Sequence, residues 1–271
     1  MQRRDFIAQA GVAVALGTTA WPRHGRAQTR QPVPESTRLV LGFGNEVTFV
    51  PHMVAIEKRW LRDAGFIEIV TRTFSDESNA REALVAGELS LWTATNLPPV
   101  TMAHSGAPVV VLGTNAITTV AADKLVGPKD ANPIAAEDPY RIRIGQMAHT
   151  RSLFVASEAF VRKNPIATRQ MISALVKAQR YVADPKNRDE VIDLFSRVTR
   201  QERTVATAIW DEYVFDPAIG PAYVDDMKAI TEYLVASGSI KGPKDPLDYT
   251  YSEPLAAADP TLVTVAGRFK P

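Results

Sequence analysis

The order of apolar segments between residues 39 and 115 constrains the fold of this chain more than any other feature. Strand-like runs start at Leu39, Ile67, Leu89 and Val109, and helix-like segments lie between them. Strands that alternate with helices form a parallel sheet with both faces covered. We therefore predict an α/β fold with a parallel sheet for this part of the chain.

Short polar side chains stand where the predicted strands end. Ligands of such sheets bind beyond the carboxyl ends of the strands, where helix N-termini direct backbone N–H groups outward. Hydroxyls and N–H groups can hold a small anion without a full counter-charge. Each polar residue can instead be an ordinary helix cap or turn residue. We predict that the ligand-binding residues are Asn45, Phe49, Ser75, Ser78, Thr93, Thr95, Asn96, Thr114 and Asn115.

Two acidic residues, Asp76 and Glu77, lie beside this predicted site. Their charge opposes an anion, so we expect them either to face solvent or to select a ligand that also carries an amine. Phe49 and Trp92 are the candidates for an apolar wall, although core packing is the ordinary role of a buried Trp.

The first 27 residues have the layout of an export signal. Arg3 and Arg4 precede a moderately apolar stretch that is too short to be a stop-transfer helix. The alternative is an amphipathic helix in which two arginines are adjacent by chance. We predict that residues 1–27 are a twin-arginine signal peptide, that residues 28–36 are a flexible lead, and that the mature protein is periplasmic.

Composition limits the partners and the chemistry. The chain has no cysteine, and its histidines lack the spacing of metal ligands. Loss of residues 1–27 removes four of 31 basic and one of 30 acidic residues, which leaves a net charge of −2. This charge does not recruit nucleic acid or a membrane surface. Gly42 and Gly44 lack the third glycine of a dinucleotide site, and no G-x-S-x-G is present. We predict no metal, no cofactor and no enzymatic activity.

Five segments of the chain resemble one family in composition and order. They are residues 54–66 (VAIEKRWLRDAGF), 80–91 (AREALVAGELSL), 93–99 (TATNLPP), 106–108 (GAP) and 155–165 (VASEAFVRKNP). In these segments the chain is similar to periplasmic solute-binding proteins of ABC importers, in the nitrate, sulfonate, taurine and thiamine-precursor group. The resemblance implies a type II periplasmic-binding-protein fold of two α/β lobes. It also implies a monomer that captures a small solute and delivers it to an ABC permease in the membrane.

Two positions depart from the family pattern. Arg59 stands where the family usually has Gly, and Ser90 stands where it usually has Asp. We interpret both departures as structural, and neither changes the implied class of protein.

The second lobe is too short for the fold that the resemblance implies. A βαβ unit takes about 30 residues, yet one strand candidate, Tyr140–Gly145, is followed almost at once by the 155–165 segment. We estimate that about two such units, roughly 60 residues, are absent. We predict an intact first lobe at 37–122, a truncated second lobe at 123–162, C-terminal helices at 163–238 and a loosely ordered tail at 239–271.

The first C-terminal helix has a clear beginning and a clear apolar face. Asn164 is a candidate cap and Pro165 a candidate first helical residue. Met171, Leu175 and Val182 recur on one face, so this face needs a partner in the core.

Three functional hypotheses follow. The first is an exported solute-binding protein that captures a small anionic or organic solute, similar to a sulfonate, taurine or nitrate. The second is a thiamine-pyrimidine-precursor binding or synthase-like protein. The third is a truncated relative that folds in part and does not bind a ligand.

Overall fold

A six-stranded mixed sheet forms the centre of the protein, in a computed structural model that describes residues 32–74, 76–119 and 149–271. The predicted signal peptide, Ser75 and the strand candidate Tyr140–Gly145 lie outside the described residues. In chain order the strands are β1 (Arg38–Gly42), β2 (Glu68–Arg72), β3 (Leu91–Thr95), β4 (Val109–Thr118), β5 (Thr150–Ser157) and β6 (Tyr213–Val214).

The sheet has the strand order β2-β1-β3-β5-β4-β6. The prediction of parallel pairing is confirmed for β2, β1 and β3. It is wrong for the remainder of the sheet, because β5 lies between β3 and β4 and is antiparallel to both. The short β6 is also antiparallel to β4. Consequently β3 and β4 run in the same direction without pairing with each other.

Strand β5 lies within residues 123–162, the segment predicted to be a truncated second lobe. Its register pairs Val155 with both Trp92 of β3 and Val111 of β4, so it completes the sheet of the first lobe. The described residues contain one sheet and no second one. A second-lobe remnant therefore remains a prediction for the preceding segment, most of which lies outside the described residues.

Ten α-helices surround the sheet in the described part of the chain. They are α1 (Val50–Glu57), α2 (Trp60–Asp63), α3 (Glu77–Val85), α4 (Leu97–His104), α5 (Glu158–Lys163), α6 (Pro165–Ala183), α7 (Arg188–Thr199), α8 (Arg203–Ile209), α9 (Pro221–Ala236) and α10 (Glu253–Ala258).

The long helix α6 anchors the helical layer. Met171, Leu175 and Val182 are buried on its inner face, as the apolar spacing predicts. This face packs against α1 and α10. Full burial of each such side chain contributes about 1.5–3 kcal/mol relative to exposure.

The beginning of α6 is capped from a distant part of the chain. The side chain of Asn164 forms no cap and instead donates to the carbonyl of Phe160. Both carboxylate oxygens of Glu35 accept hydrogen bonds, of 3.0 Å each, from the backbone N–H groups of Ile166 and Ala167. Glu35 lies in the predicted flexible lead, and the carbonyl of Pro32 also accepts from Gln170 of α6. The structure thus corrects that prediction at these two residues, which are tied to α6.

The C-terminal 33 residues are also more ordered than the sequence predicts. They contain α10, and Tyr249, Tyr251 and Leu255 are buried. The backbone N–H of Tyr251 donates to the carbonyl of Val111 in β4. The prediction of a loosely ordered tail is therefore wrong. Composition misled it, because the many prolines and aspartates of this segment begin short helices.

The backbone conformation of Arg59 accounts for the glycine that the family usually has at this position. This exposed residue joins α1 to α2 with φ of 61°, in the left-handed region where glycine is the preferred residue. The other departure, Ser90, is buried, and its hydroxyl accepts from the backbone N–H of Val40.

Candidate functional site

A pocket of about 400 Å³ opens at the carboxyl edge of the sheet. Parallel orientation brings the ends of β1, β3 and β4 to this edge, and antiparallel orientation brings the beginnings of β5 and β6 to it. Thr118 at the end of β4 pairs with both Thr150 and Tyr213, and all three line the pocket. The pocket thus lies where the topology of an α/β sheet places a ligand.

Aromatic rings form much of the inner wall. Phe43 and Trp92 are buried, and Phe49, Phe74 and Tyr213 are half-buried. The ring centroids of Phe43 and Phe49 lie 6.1 Å apart. Apolar walls of this kind bury much of the surface of a small organic ligand.

Hydroxyl groups supply most of the neutral hydrogen-bonding capacity of the pocket. They belong to Thr48, Thr93, Thr95, Thr118, Thr150 and Ser152. Each hydroxyl can donate or accept, so this set alone does not select the charge of a ligand.

His52 lies beneath the aromatic wall and is completely buried. Its Nε2 lies 2.9 Å from Oγ1 of Thr93, and its ring lies 4.7 Å from that of Phe43 between centroids. Burial lowers the pKa of His52 to about 3, because the imidazolium would lose its hydration among apolar rings. The imidazole is therefore neutral at physiological pH.

The Thr93 and His52 pair does not form a catalytic dyad. Thr93 is itself buried, and no carboxylate of the described residues orients the imidazole. A base with a pKa of about 3 is poorly matched to proton abstraction near pH 7. This part of the site supports the wall of a binding pocket.

Three carboxylates stand at the mouth of the pocket: Glu46, Asp76 and Glu77. All three residues are exposed. Surrounding atoms nevertheless desolvate the Glu77 carboxyl, and this burial, together with the nearby charge of Glu46, raises its pKa. The hydroxyl of Thr95 and the charge of Arg81 act in the opposite direction and are outweighed.

Gly44 permits the close approach of two lining residues. A Cβ atom at this position would lie 2.3 Å from Oε2 of Glu46 and 2.8 Å from Cε2 of Phe49. A glycine here lets the chain turn after β1 while both side chains reach the pocket.

The helix N-termini near the pocket offer little to an anion. Asp76 caps α3, where its own carboxylate accepts from the backbone N–H of Asn79. Helix α4 has prolines at positions 98 and 99 in its first turn, and α1 has Pro51. Proline has no N–H to donate, so these helices lack part of the donor set that binds anions elsewhere.

Three of the nine predicted site residues line the pocket: Phe49, Thr93 and Thr95. Asn45 and Ser78 are exposed outside the lining, where the Asn45 carbonyl accepts from Gln201 and the Ser78 hydroxyl from Arg81. Ser75 lies outside the described residues.

The other three predicted residues are buried and hold the framework together. The amide of Asn96 donates to the carbonyl of His149, and Asn115 donates to that of Thr48. Gln179 of α6 donates to the carbonyls of Thr114 and Asn115, 2.8 and 2.7 Å away. Thr114 and Asn115 do not line the pocket, because β4 continues through two register irregularities to Thr118.

The sequence prediction missed Glu46, Thr118, Thr150, Ser152 and Tyr213. Glu46 follows Gly44 just after β1, so its position was a usable signal. The other four depend on strand pairings between distant parts of the chain, which local sequence patterns do not indicate.

A more open concavity of about 610 Å³ lies at the opposite edge of the sheet, near Ser36, Ser90 and Ser157. Its arginines are neutralised by ion pairs, Arg38 with Glu68 and Arg72 with Glu88. It contains one aromatic residue, Phe160, and it lies away from the carboxyl ends of β1 and β3. The carboxyl-edge pocket is therefore the better candidate site.

A buried ion pair supports the strand that passes the pocket. Nε of Arg151 in β5 donates to Oδ2 of Asp226 in α9 at 2.6 Å, and both side chains are almost fully buried. The neighbouring Ser152 lines the pocket. The pair thus ties β5 to α9.

Two geometric searches limit the chemistry of the described residues. No group of three His, Asp or Glu side chains among them is arranged to hold a metal ion. None of their helices is both long and apolar enough to cross a membrane.

Together, the mixed sheet, its helical cover and the pocket at its carboxyl edge define the fold of the periplasmic binding proteins. The nitrate-binding protein NrtA from Synechocystis PCC 6803 is similar at a TM-score of 0.65 and 13% identity, over 85% of this chain and 90% of that one. The alkanesulfonate-binding protein SsuA from Xanthomonas axonopodis pv. citri is similar at a TM-score of 0.57 and 13% identity, over 80% and 99% of the two chains.

An enzyme shares this fold as well. The desulfurization enzyme DSZB is similar at a TM-score of 0.56 and 10% identity, over 82% of this chain and 98% of that one. No family model and no curated protein matches the sequence. The fold therefore leaves the function to be argued from the pocket.

Proposed function

We propose that this protein is the exported solute-binding component of an ABC importer, which captures a small solute and presents it to a membrane permease. The observation that carries the proposal is the aromatic pocket of about 400 Å³ at the carboxyl edge of a periplasmic-binding-protein sheet. Its volume suits a small organic molecule. Similar structures include nitrate- and sulfonate-binding proteins, which supports binding in preference to catalysis.

The pocket also argues against a truncated protein that does not bind a ligand. Its lining comes from strands β3, β4, β5 and β6 and from the segments that follow β1 and β2, all within the described residues.

A thermal-shift screen of the full chain tests the proposal. The panel contains nitrate, ethanesulfonate, taurine, aromatic carboxylates, aminopyrimidines and small organic ammonium ions. A ligand at about a hundred times its Kd stabilises the native state by roughly 2.7 kcal/mol, so we expect a saturable rise in Tm with one chemical class. A cooperative transition that no compound moves would contradict the proposal.

A pair of variants shows whether binding occurs in this pocket. Thr95→Trp places a large ring in the lining and should abolish the shift. Val85→Trp adds the same ring at an exposed position of α3 outside the lining and should preserve it. Equal effects of both variants would place binding elsewhere.

The export route is tested separately with the N-terminal segment. We expect residues 1–27 to carry the chain into the periplasm of a bacterial host through the twin-arginine pathway. Replacement of Arg3 and Arg4 by lysine should leave the precursor in the cytoplasm, whereas replacement of Arg23 and Arg26 by lysine should not. Undiminished export of the first variant would rule out this route.

A further inference from the structure

We infer that the solute of this pocket is a small organic cation without an anionic group, held between the aromatic wall and the carboxylates at the mouth. This inference rests on the proposed function and specifies its ligand. It differs from the anionic solute that the strand-end hydroxyls predict.

The charges of the lining favour a cation. Its charged residues, within the described part of the chain, are Glu46, Asp76 and Glu77, and it includes no Lys, Arg or His. An anion in this pocket would meet three carboxylates without a counter-charge from the lining. Hydroxyl donors alone offset such repulsion poorly.

The backbone leads to the same conclusion. At the start of α3 the backbone N–H of Asn79 already donates to the carboxylate of Asp76, and the first turn of α4 contains two prolines. These two helix starts thus have fewer N–H groups to offer an anion than a helix start without a capping carboxylate or prolines.

The aromatic wall gives the cation an attractive surface of its own. The faces of Trp, Tyr and Phe attract a cation through the ring quadrupole, most strongly when water is excluded. Trp92 and Phe43 are buried in the wall, and Phe49, Phe74 and Tyr213 are half-buried. Rings and carboxylates in one small cavity are the combination that recognises alkylammonium groups.

The carboxylates suit an organic ion better than a metal ion. No three acidic or histidine side chains of the described residues are arranged to hold a metal. Glu77 is also engaged by the hydroxyl of Thr95 at 3.2 Å, which fixes one oxygen at the wall. Carboxylates spread around an aromatic cavity fit a larger ion with diffuse charge.

Calorimetric titration of the full chain with matched probes tests the inference. The cations are choline, tetramethylammonium and propylammonium. The neutral control is 3,3-dimethylbutan-1-ol, which has the shape of choline with carbon in place of the charged nitrogen. Nitrate and ethanesulfonate are the anions. We expect at least one cation to bind, and the neutral alcohol to bind at least about tenfold more weakly than choline.

Two variants connect the selectivity to the carboxylates. Glu77→Gln keeps the shape of the side chain and should weaken cation binding about tenfold while it leaves the neutral alcohol unaffected. Glu82→Gln removes the same charge from an exposed position of α3 outside the lining and should change neither.

The outcomes separate this inference from the proposed function. If an anion or the neutral alcohol binds and the cations do not, the ligand class is wrong and solute binding stands. If neither these probes nor the wider thermal-shift panel binds to the folded protein, both proposals fail. An equal loss of affinity for choline and for the neutral alcohol in Glu77→Gln would overturn the role of the charge.

Discussion

Thr95 Oγ1 donates a hydrogen bond to Oε1 of Glu77 over 3.2 Å, which joins the end of β3 to the first residue of α3 at the mouth of the pocket. This bond favours the ionised carboxylate and lowers its pKa, while burial and the charge of Glu46 raise the pKa more. Cation binding needs the ionised form. Affinity for a cation should therefore fall, as the pH is lowered, at a higher pH than an ordinary glutamate would show.

Removal of the Thr95 hydroxyl should raise the pH at which the affinity for a cation begins to fall. In Thr95→Val the Glu77 carboxyl loses the donor that lowers its pKa, so protonation begins earlier as the pH falls. Thr95→Ser retains the hydroxyl and should keep the wild-type profile. Affinity for the tightest-binding organic cation, measured at intervals between pH 4 and 8, gives the result. An unshifted profile in Thr95→Val would show that Glu77 does not cause the loss of cation affinity at low pH.

His52 should reduce the stability of the protein in acid. Burial lowers the folded-state pKa of His52 to about 3, below its unfolded value of about 6.5, so the unfolded chain binds a proton that the native state excludes. The free energy of unfolding should thus fall as the pH drops from about 6.5 towards 3. His52→Gln removes this titration, so its stability should fall less between pH 7 and pH 4.5. Urea unfolding of both proteins at several pH values measures this difference. If the free energy of unfolding fell equally with pH in both, His52 would not be the cause.

Substitution of Arg59 by glycine should stabilise the protein, whereas glycine in the interior of a helix destabilises it. At its φ of 61° a residue other than glycine pays about 1–2 kcal/mol. Glycine avoids this cost, but the greater conformational entropy of its unfolded state cancels part of the gain. We expect Arg59→Gly to raise the free energy of unfolding by up to about 1 kcal/mol. Arg59→Ala removes the same side chain and keeps the unfavourable backbone, so it should not stabilise. Denaturant midpoints of the two variants decide the matter.

The buried pair of Arg151 and Asp226 should be costly to break. Asp226→Ala leaves an arginine buried without its partner, and we expect a loss of about 3–5 kcal/mol. Glu68→Ala breaks the exposed pair with Arg38 and should cost about 0–1 kcal/mol. Chemical denaturation measures the loss of stability in both variants. Similar losses would contradict the expectation that the buried pair is costlier to break than the exposed one.

Local features of this fold were predictable where a few neighbouring residues decide them. Pro165 begins α6, as the sequence analysis predicts, because a proline at the first helical position needs no N–H partner. The position of β5 was not predictable in this way, because its pairing with β3 joins residues about 60 positions apart. The caps differ in the same sense: Asp76 caps a helix beside it, whereas Glu35 caps α6 across 131 residues.

The candidate site shows why the strand-end rule succeeded only in part. Thr93 and Thr95 belong to β3, whose end was placed correctly, and both line the pocket. Thr114 and Asn115 follow Gly113, which resembles a strand end in sequence, but β4 passes through irregular pairing and ends at Thr118. The sequence analysis also left two alternatives for Asp76 and Glu77: they face solvent, or they select a ligand that also carries an amine. Both residues line the pocket. The cation that we infer keeps the amine of the second alternative but lacks the anionic group that this alternative included.

The most direct test of the pocket is hydrogen–deuterium exchange on the full chain, with and without a saturating amount of the solute that gives the largest thermal shift. The account predicts slower exchange in segments 43–49, 76–80 and 92–95 and around Thr150 and Tyr213, all of which contribute to the pocket at the carboxyl edge of the sheet. Slower exchange confined to the opposite edge, around Ser36, Ser90 and Ser157, would contradict it.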